Sequence, residues 1–258
     1  MGRVQVMGIV NATPDSFSGD GLTDQQAAIR RGLAMAEAGA QIVDVGGEST
    51  RPGHSPVPAD EEIRRAVPVV SALARHGLTV SIDTSKLEVA QAAADAGAAI
   101  VNDIWGLRRS PGIADLAAER GLGLVLMHNQ DGTEYAGDMM DVVRAGLAES
   151  LRRAVLAGVL LERIIIDPGI GFGKTAQQNL VVLRRLDELR GLGCSILVGP
   201  SRKSFLGKLF GQEMEVRVWG TAAAVAAAIL RGADIVRVHD VPEMLAVARV
   251  AEALRAGA

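Results

Sequence analysis

The chain has 258 residues, 48% of them hydrophobic, with a net charge of −3 at pH 7 and a pI near 5.9. The length allows a large buried core, while the acidic balance and 3% aromatic content argue against a nucleic-acid binder, which presents a basic face or stacking aromatics. One cysteine, Cys194, excludes an internal disulfide framework and fits a reducing compartment. The opening Met1-Gly2-Arg3-Val4 has no apolar targeting core, and Val6 stands where a myristoylation signal has Ser or Thr. No apolar run approaches the ~20 residues that span a bilayer. A cytoplasmic protein that engages neither membrane nor nucleic acid is expected.

Short apolar, β-branched runs alternate with Ala/Leu-rich stretches, predicting strands at 4–10, 41–45, 79–83, 99–103, 122–128, 163–167, 195–199 and 234–238. Continuous runs such as Leu124-Val125-Leu126 and Ile164-Ile165-Ile166 suit strands covered on both faces, hence a parallel sheet. Thr23 and Gln26 have capping-box spacing at the start of the first helix. Gly39, Gly77, Gly97, Gly121 and Gly232 each follow a helical run and precede a strand, where a left-handed residue closes a helix. Eight strand–helix units predict one α/β domain over 1–258, a closed parallel barrel, with an open doubly wound sheet as the alternative. The long irregular stretches, 46–59 and 129–137, follow strands directly and suggest functional loops.

Each apolar strand ends in a group able to do chemistry: Asn11; Glu48 to Arg51; Asp83; Asn102 and Asp103; His128; Asp167; Ser201 to Ser204; Arg237 and His239. In a barrel these ends converge on one mouth, where active sites are built. Taken singly, each has a plainer role. Asp83 and Asp167 suit helix N-caps, Asn102-Asp103 an Asx-turn, and His128 and His239 ordinary hydrogen bonding. Arg202 and Lys203 at a helix start face a positive dipole, so the pair suggests an anionic ligand nearby.

Two look-alikes fail. Gly169-Ile170-Gly171-Phe172-Gly173-Lys174-Thr175 ends like a phosphate-binding loop, but Pro168 occupies its first glycine position. The G-x-G-x-x-A letters from Gly171 to Ala176 lack the acidic residue after a following strand. There is no H-E-x-x-H and no cysteine cluster for zinc.

Longer patterns carry a resemblance. Gly8-Ile9-Val10-Asn11-Ala12-Thr13-Pro14-Asp15-Ser16-Phe17-Ser18 and Gly46-Gly47-Glu48-Ser49-Thr50-Arg51-Pro52-Gly53 are similar to the first two signatures of the dihydropteroate synthase family. Ser81 to Thr84, Asn102 to Ile104, Leu126 to His128, Asp167 to Phe172, Ser201 to Phe205 and Arg237 to Asp240 follow in the family's order, so the resemblance covers nearly the whole chain. It implies a (β/α)8 TIM barrel with the active site at the C-terminal strand ends. It also implies condensation of 6-hydroxymethyl-7,8-dihydropterin diphosphate with 4-aminobenzoate in folate synthesis, assisted by magnesium in a homodimer. Carried over position by position, Asp167, Asp83, Asn102, Met127 and Lys203 hold the pterin. Asn11, Arg51, Ser204, Arg237 and His239 hold the diphosphate, with the magnesium ion on Asn11. Thr50, Pro52, Phe172 and Ser204 form the aminobenzoate pocket, and Lys203, Asp167, Arg237 and Arg51 carry the catalysis. The loops 11–24 and 46–59 are expected to move without ligand. Two departures stand out: Ser18-Gly19-Asp20-Gly21 shifts an acidic residue by one, and Pro200 occupies a position where the family favours a small residue. The rival readings are a folate-dependent methyltransferase domain, a catalytically silent pterin binder and a Schiff-base aldolase using Lys203.

Overall fold

The computed structural model describes residues 3–13, 21–49, 56–210 and 214–257. Eight parallel strands close into a barrel in sequence order: β1 (Gln5–Asn11), β2 (Ile42–Gly46), β3 (Val80–Asp83), β4 (Ile100–Asp103), β5 (Gly123–Met127), β6 (Ile164–Asp167), β7 (Ser195–Val198) and β8 (Ile235–Val238). β1 pairs with both β2 and β8, which removes the sheet edges and excludes the open-sheet alternative. Each strand lies within a residue of its expected bounds at either end, because β-branched runs flanked by glycine leave little latitude.

The strands alternate with helices α1 (Gly21–Glu37), α2 (Ala59–Arg75), α3 (Leu87–Asp95), α4 (Gly112–Arg120), α5 (Met139–Leu156), α6 (Ala176–Arg184), α7 (Ser204–Phe210), α8 (Met214–Leu230) and α9 (Val241–Ala256). Both α7 and α8 lie between β7 and β8. The five punctuating glycines all have positive φ, as expected of helix-closing residues. The first capping box is not where the spacing suggested: α1 begins at Gly21, which puts Thr23 inside its first turn. A complete box instead opens α6, where Thr175 and Gln178 bond each other's backbone N–H. No helix among the described residues is long and apolar enough to cross a membrane.

Strand alternation sorts every side chain to the barrel interior or to the helices. The lower interior is plugged by Met7, Ile42, Ile100, Val125, Leu197 and Ile235, with Ile165 against them. Their neighbours one position along, such as Val6, Val43, Val101, Leu124 and Val236, belong instead to the layer beneath the helices. Two residues beyond the apolar plug, the same parity gives Asp44 on β2, Asn102 on β4, Met127 on β5, Asp167 on β6 and Arg237 on β8. Position 83 shares this inward parity with position 81 on β3. A dry floor therefore lies below a ring of polar groups.

Candidate active site

Arg237 crosses the mouth. Its Nε donates to Asp44 Oδ2 and its Nη2 to Asp83 Oδ2, both at 2.6 Å. Asn102 Nδ2 donates to the same Asp44 oxygen at 3.1 Å. One guanidinium faces two carboxylates that are 0% and 6% exposed. Burial, only partly offset by Arg237 and reinforced by Asp44, pushes the Asp83 carboxyl up to about 7. Arg237 itself is driven upward, because the two carboxylates outweigh its own desolvation. The second oxygens of Asp44 and Asp83 are buried with no protein partner. Such orphans are costly unless a ligand or water supplies a donor.

Across the pocket, Asp167 Oδ1 accepts the Gly169 N–H at 2.7 Å, and burial lifts this carboxyl to about 6. The Lys203 ammonium lies 3.7 Å from the centroid of the Phe172 ring. Burial, then the nearby Arg237 charge, pushes it down to about 7. Its aliphatic stem runs so close to Gly171 that a Cβ there would meet Lys203 Cδ at 2.7 Å. Met127, Ile104 and Ile170 supply apolar walls to a small pocket that Asn102, Asp167, Lys203 and Arg237 line with polar groups. A flat polar heterocycle with apolar faces suits such a lining.

At the β8 end of the mouth, Ser201 Oγ accepts the His239 backbone N–H at 3.1 Å and lies 3.0 Å from His239 Nδ1. Burial, with Arg237 and Arg202 nearby, lowers the imidazole to about 3, so it stays neutral. A serine hydroxyl donating to Nδ1 would leave the ring proton on Nε2. Asn11 ends β1 half-buried, and Ser204 opens α7 exposed.

Several expectations change here. Arg202 does not face an anionic ligand. It adopts a left-handed backbone at φ 55°, gives its N–H to Thr221 Oγ1 at 3.0 Å and forks its guanidinium onto the Asp240 carboxylate. Pro200 sits in a turn closed by the Lys203 N–H at 3.4 Å, so a proline is accommodated there. His128 points away from the mouth, packing on α5 so tightly that a Cβ on Gly146 would lie 2.7 Å from its ring. Asp103 keeps the plainer role expected of it, an Asx-turn, accepting the Trp105 and Leu107 N–H groups at 2.8 and 2.6 Å. The sequence reading overlooked Asp44, though an Asp inside an apolar strand at inward parity was a usable signal. It also dismissed Lys174 with the failed phosphate-loop motif. Thr50, Arg51, Pro52 and Asp20 lie outside the described residues, as does most of the first loop. Among the described residues, no group of three or more His, Cys, Asp or Glu side chains could hold a metal.

The profile of the pterin-binding enzyme family matches residues 7–239. The dihydropteroate synthase of Synechocystis is 47% identical, the alignment covering 98% of this chain and 90% of that one. The Bacillus subtilis enzyme is 45% identical over 98% and 89%. Among solved structures, the Clostridium difficile dihydropteroate synthase determined in the presence of pteroic acid superposes with a TM-score of 0.94 at 47% identity, covering 98% and 97% of the two chains. The Xanthomonas albilineans enzyme with 4-aminobenzoic acid gives 0.92 at 44%, covering 98% and 94%. Identity at this level along essentially the full length of both chains, joined to a closed barrel with a polar mouth, settles the assignment: the chain belongs to the dihydropteroate synthase family of pterin-binding enzymes.

Proposed function

We propose that this chain condenses 6-hydroxymethyl-7,8-dihydropterin diphosphate with 4-aminobenzoate to give 7,8-dihydropteroate and pyrophosphate. One observation carries the reading: the buried Asp167 carboxylate lines a small pocket with Asn102, Lys203 and Arg237, and Arg237 in turn holds Asp44 and Asp83, whose second oxygens have no protein partner. A pterin edge offers adjacent N–H donors in one plane, the complement of such acceptors. The ligands named for the two solved relatives, pteroic acid and 4-aminobenzoic acid, support the same chemistry.

In this reading Asp167, with Asp83 and Asn102, takes the pterin's donor edge. Lys203 reaches the ring's acceptors, and Met127 covers a face. Arg237 commits two of its five N–H groups to Asp44 and Asp83, which leaves others for the diphosphate. Neutral His239 donates through Nε2, and Asn11, Ser204 and Arg51 complete the anion site. Thr50, Pro52, Phe172 and Ser204 bound the aminobenzoate. The bond between the methylene carbon and the diphosphate oxygen breaks, its electron pair leaving with pyrophosphate. The electron-rich ring delocalises the resulting cation. The aromatic amine then attacks the carbon and loses a proton. The protein's contribution is orientation, charge stabilisation at the departing diphosphate and exclusion of water.

Magnesium fits the donor set: Asn11 offers one neutral amide oxygen, and a magnesium ion usually keeps water and phosphate oxygens on its remaining positions. When bound, it would neutralise charge on the diphosphate. The enzyme acts as a single-domain homodimer in the cytoplasm. Support for association comes from Trp219 and Leu230 on α8, 76% and 47% exposed beside an apolar groove against α6. Support for the compartment comes from the lone cysteine.

The direct test mixes protein, dihydropterin diphosphate, 4-aminobenzoate and magnesium, and follows pyrophosphate and dihydropteroate together. Equal yields of both, lost on chelation, are expected. Pterin binding without turnover would move the reading to a silent binder or a methyltransferase relative.

A further inference from the structure

The segment after β6 that failed as a phosphate loop is built the other way round. In a phosphate loop the backbone N–H groups and the lysine both face an external anion. Here Lys174 is 8% exposed, and its ammonium turns onto the loop's own carbonyls. It lies 3.1 Å from Gly169 O, 3.1 Å from Phe172 O and 3.3 Å from His128 O. A fourth contact, 3.1 Å, is to His128 Nδ1. The imidazole is pushed down to about 3, chiefly by burial and then by the Lys174 charge, so the ring is neutral, and because an ammonium can only donate, Nδ1 is the acceptor. The N–H side of the same loop is held separately. Gly169 donates to Asp167 Oδ1 and Gly171 to the buried Asn179 Oδ1, both at 2.7 Å. From outside, the Tyr135 hydroxyl donates to Gly173 O at 2.7 Å.

This arrangement leaves the loop almost no conformational choice. A Cβ at Gly169, where φ is +72°, would sit 2.0 Å from His128 O, so the β5 and β6 ends touch backbone to backbone. Between the clamped positions stands Phe172, whose ring carries the Lys203 ammonium. At the loop's root stands Asp167. Three converging carbonyls concentrate negative potential, and the Lys174 ammonium supplies donors and a charge to all three at once.

We infer that Lys174 is a positioning residue: its ammonium substitutes for a bound ligand inside the β6 loop and so fixes Asp167 and Phe172 where the pterin ring is read. The inference rests on the pterin-binding reading above. Lys174 touches no reacting atom in this arrangement, so its effect passes entirely through the loop.

The test measures the dissociation constant of the dihydropterin diphosphate for wild type and Lys174→Ala, with circular dichroism to confirm the fold. Lys174→Ala is expected to bind at least tenfold more weakly. n-Propylammonium, which supplies the missing carbons and charge, is expected to restore at least threefold of that loss. 1-Propanol, of the same length, is expected to restore less. Affinity within twofold of wild type, or equal rescue by propanol, overturns the inference. If the alanine variant does not fold, Lys174→Met replaces it, because that change keeps the length of the side chain and removes only the ammonium. About threefold weaker pterin binding supports the loop's role, and unchanged binding overturns it. Failure of the wild type to bind the pterin would sink the functional reading itself, whereas tight binding by wild type and variant alike sinks only the inference.

Discussion

Asp44 is the residue that organises the mouth, although it lies mid-strand and fully buried. It accepts Arg237 and Asn102 at once, and its charge helps hold the Asp83 carboxyl up to about 7. Removing that charge in Asp44→Asn lowers the Asp83 pKa, because one like-charged neighbour is gone while Arg237 remains. Carbon-13 titration of the Asp83 carboxyl is expected to show a midpoint below that of wild type, and an unmoved midpoint contradicts the coupling. Lys203 makes the complementary case. Its folded pKa, about 7, lies below the 10.5 of an ordinary lysine. Its contribution to stability is therefore present above pH 10.5 and lost as pH falls through 7. Lys203→Met is expected to raise the melting temperature of the ligand-free protein at pH 7. A gain on the order of 2 kcal/mol, or several degrees, is the scale. The gain should shrink toward pH 10.5, and the same variant should lose pterin binding. A lower melting temperature at pH 7 would count against the burial argument.

The link from β2 to α2 is anchored by a cluster rather than by one bond. Lys86, at the start of α3, pairs with Glu48 after β2 and with Glu62 of α2, which is 1% exposed. Gly47 allows the approach: a Cβ there would stand 2.9 Å from Glu62 O. Burial raises the Glu62 carboxyl even against its bond to Lys86, so the pair is a desolvated one. Lys86→Ala leaves that carboxylate without its cation and is expected to cost about 3 kcal/mol in urea unfolding. Adding Glu62→Leu should recover much of the loss. A single variant within about 0.5 kcal/mol of wild type would mean that the cluster is merely tolerated. Elements of this kind mark where the sequence was readable. Strand bounds, helix-closing glycines and the ring of polar strand ends follow from local patterns with periods of 2 and 3.6. The facing of Arg202 and His128 does not, because it depends on tertiary partners such as Asp240 and Gly146, whereas Asp103 caps locally on the Trp105 and Leu107 N–H groups. Parity along the strands would have separated inward Asn102 from outward Asp103 and drawn attention to Asp44. No local pattern reveals that Lys174 folds back onto its own loop, since the same letters could equally well cradle a phosphate.

Barrel closure ties these local devices together. The proposed pterin contacts come from β3, β4, β5, β6 and the turn after β7, so a bound ring bridges more than half of the circumference and not one edge. Without ligand the mouth holds unpartnered carboxylate oxygens together with the depressed Lys203 ammonium, each a cost to the folded state. The dihydropterin ring supplies donors to the carboxylates and acceptors to Lys203, relieving both costs at once. Mass action then stabilises the whole barrel by about 2.7 kcal/mol at a ligand concentration of 100 times the dissociation constant. For a chain of this size that corresponds to a rise of roughly 5–10 °C. The pterin substrate is therefore expected to raise the melting temperature in a single cooperative transition, whereas 4-aminobenzoate alone should give a much smaller shift because it meets none of the buried carboxylates. Calorimetric scans with each ligand separately check this. A larger shift from 4-aminobenzoate than from the pterin would place the main binding energy outside the polar ring and overturn the division of roles drawn from it.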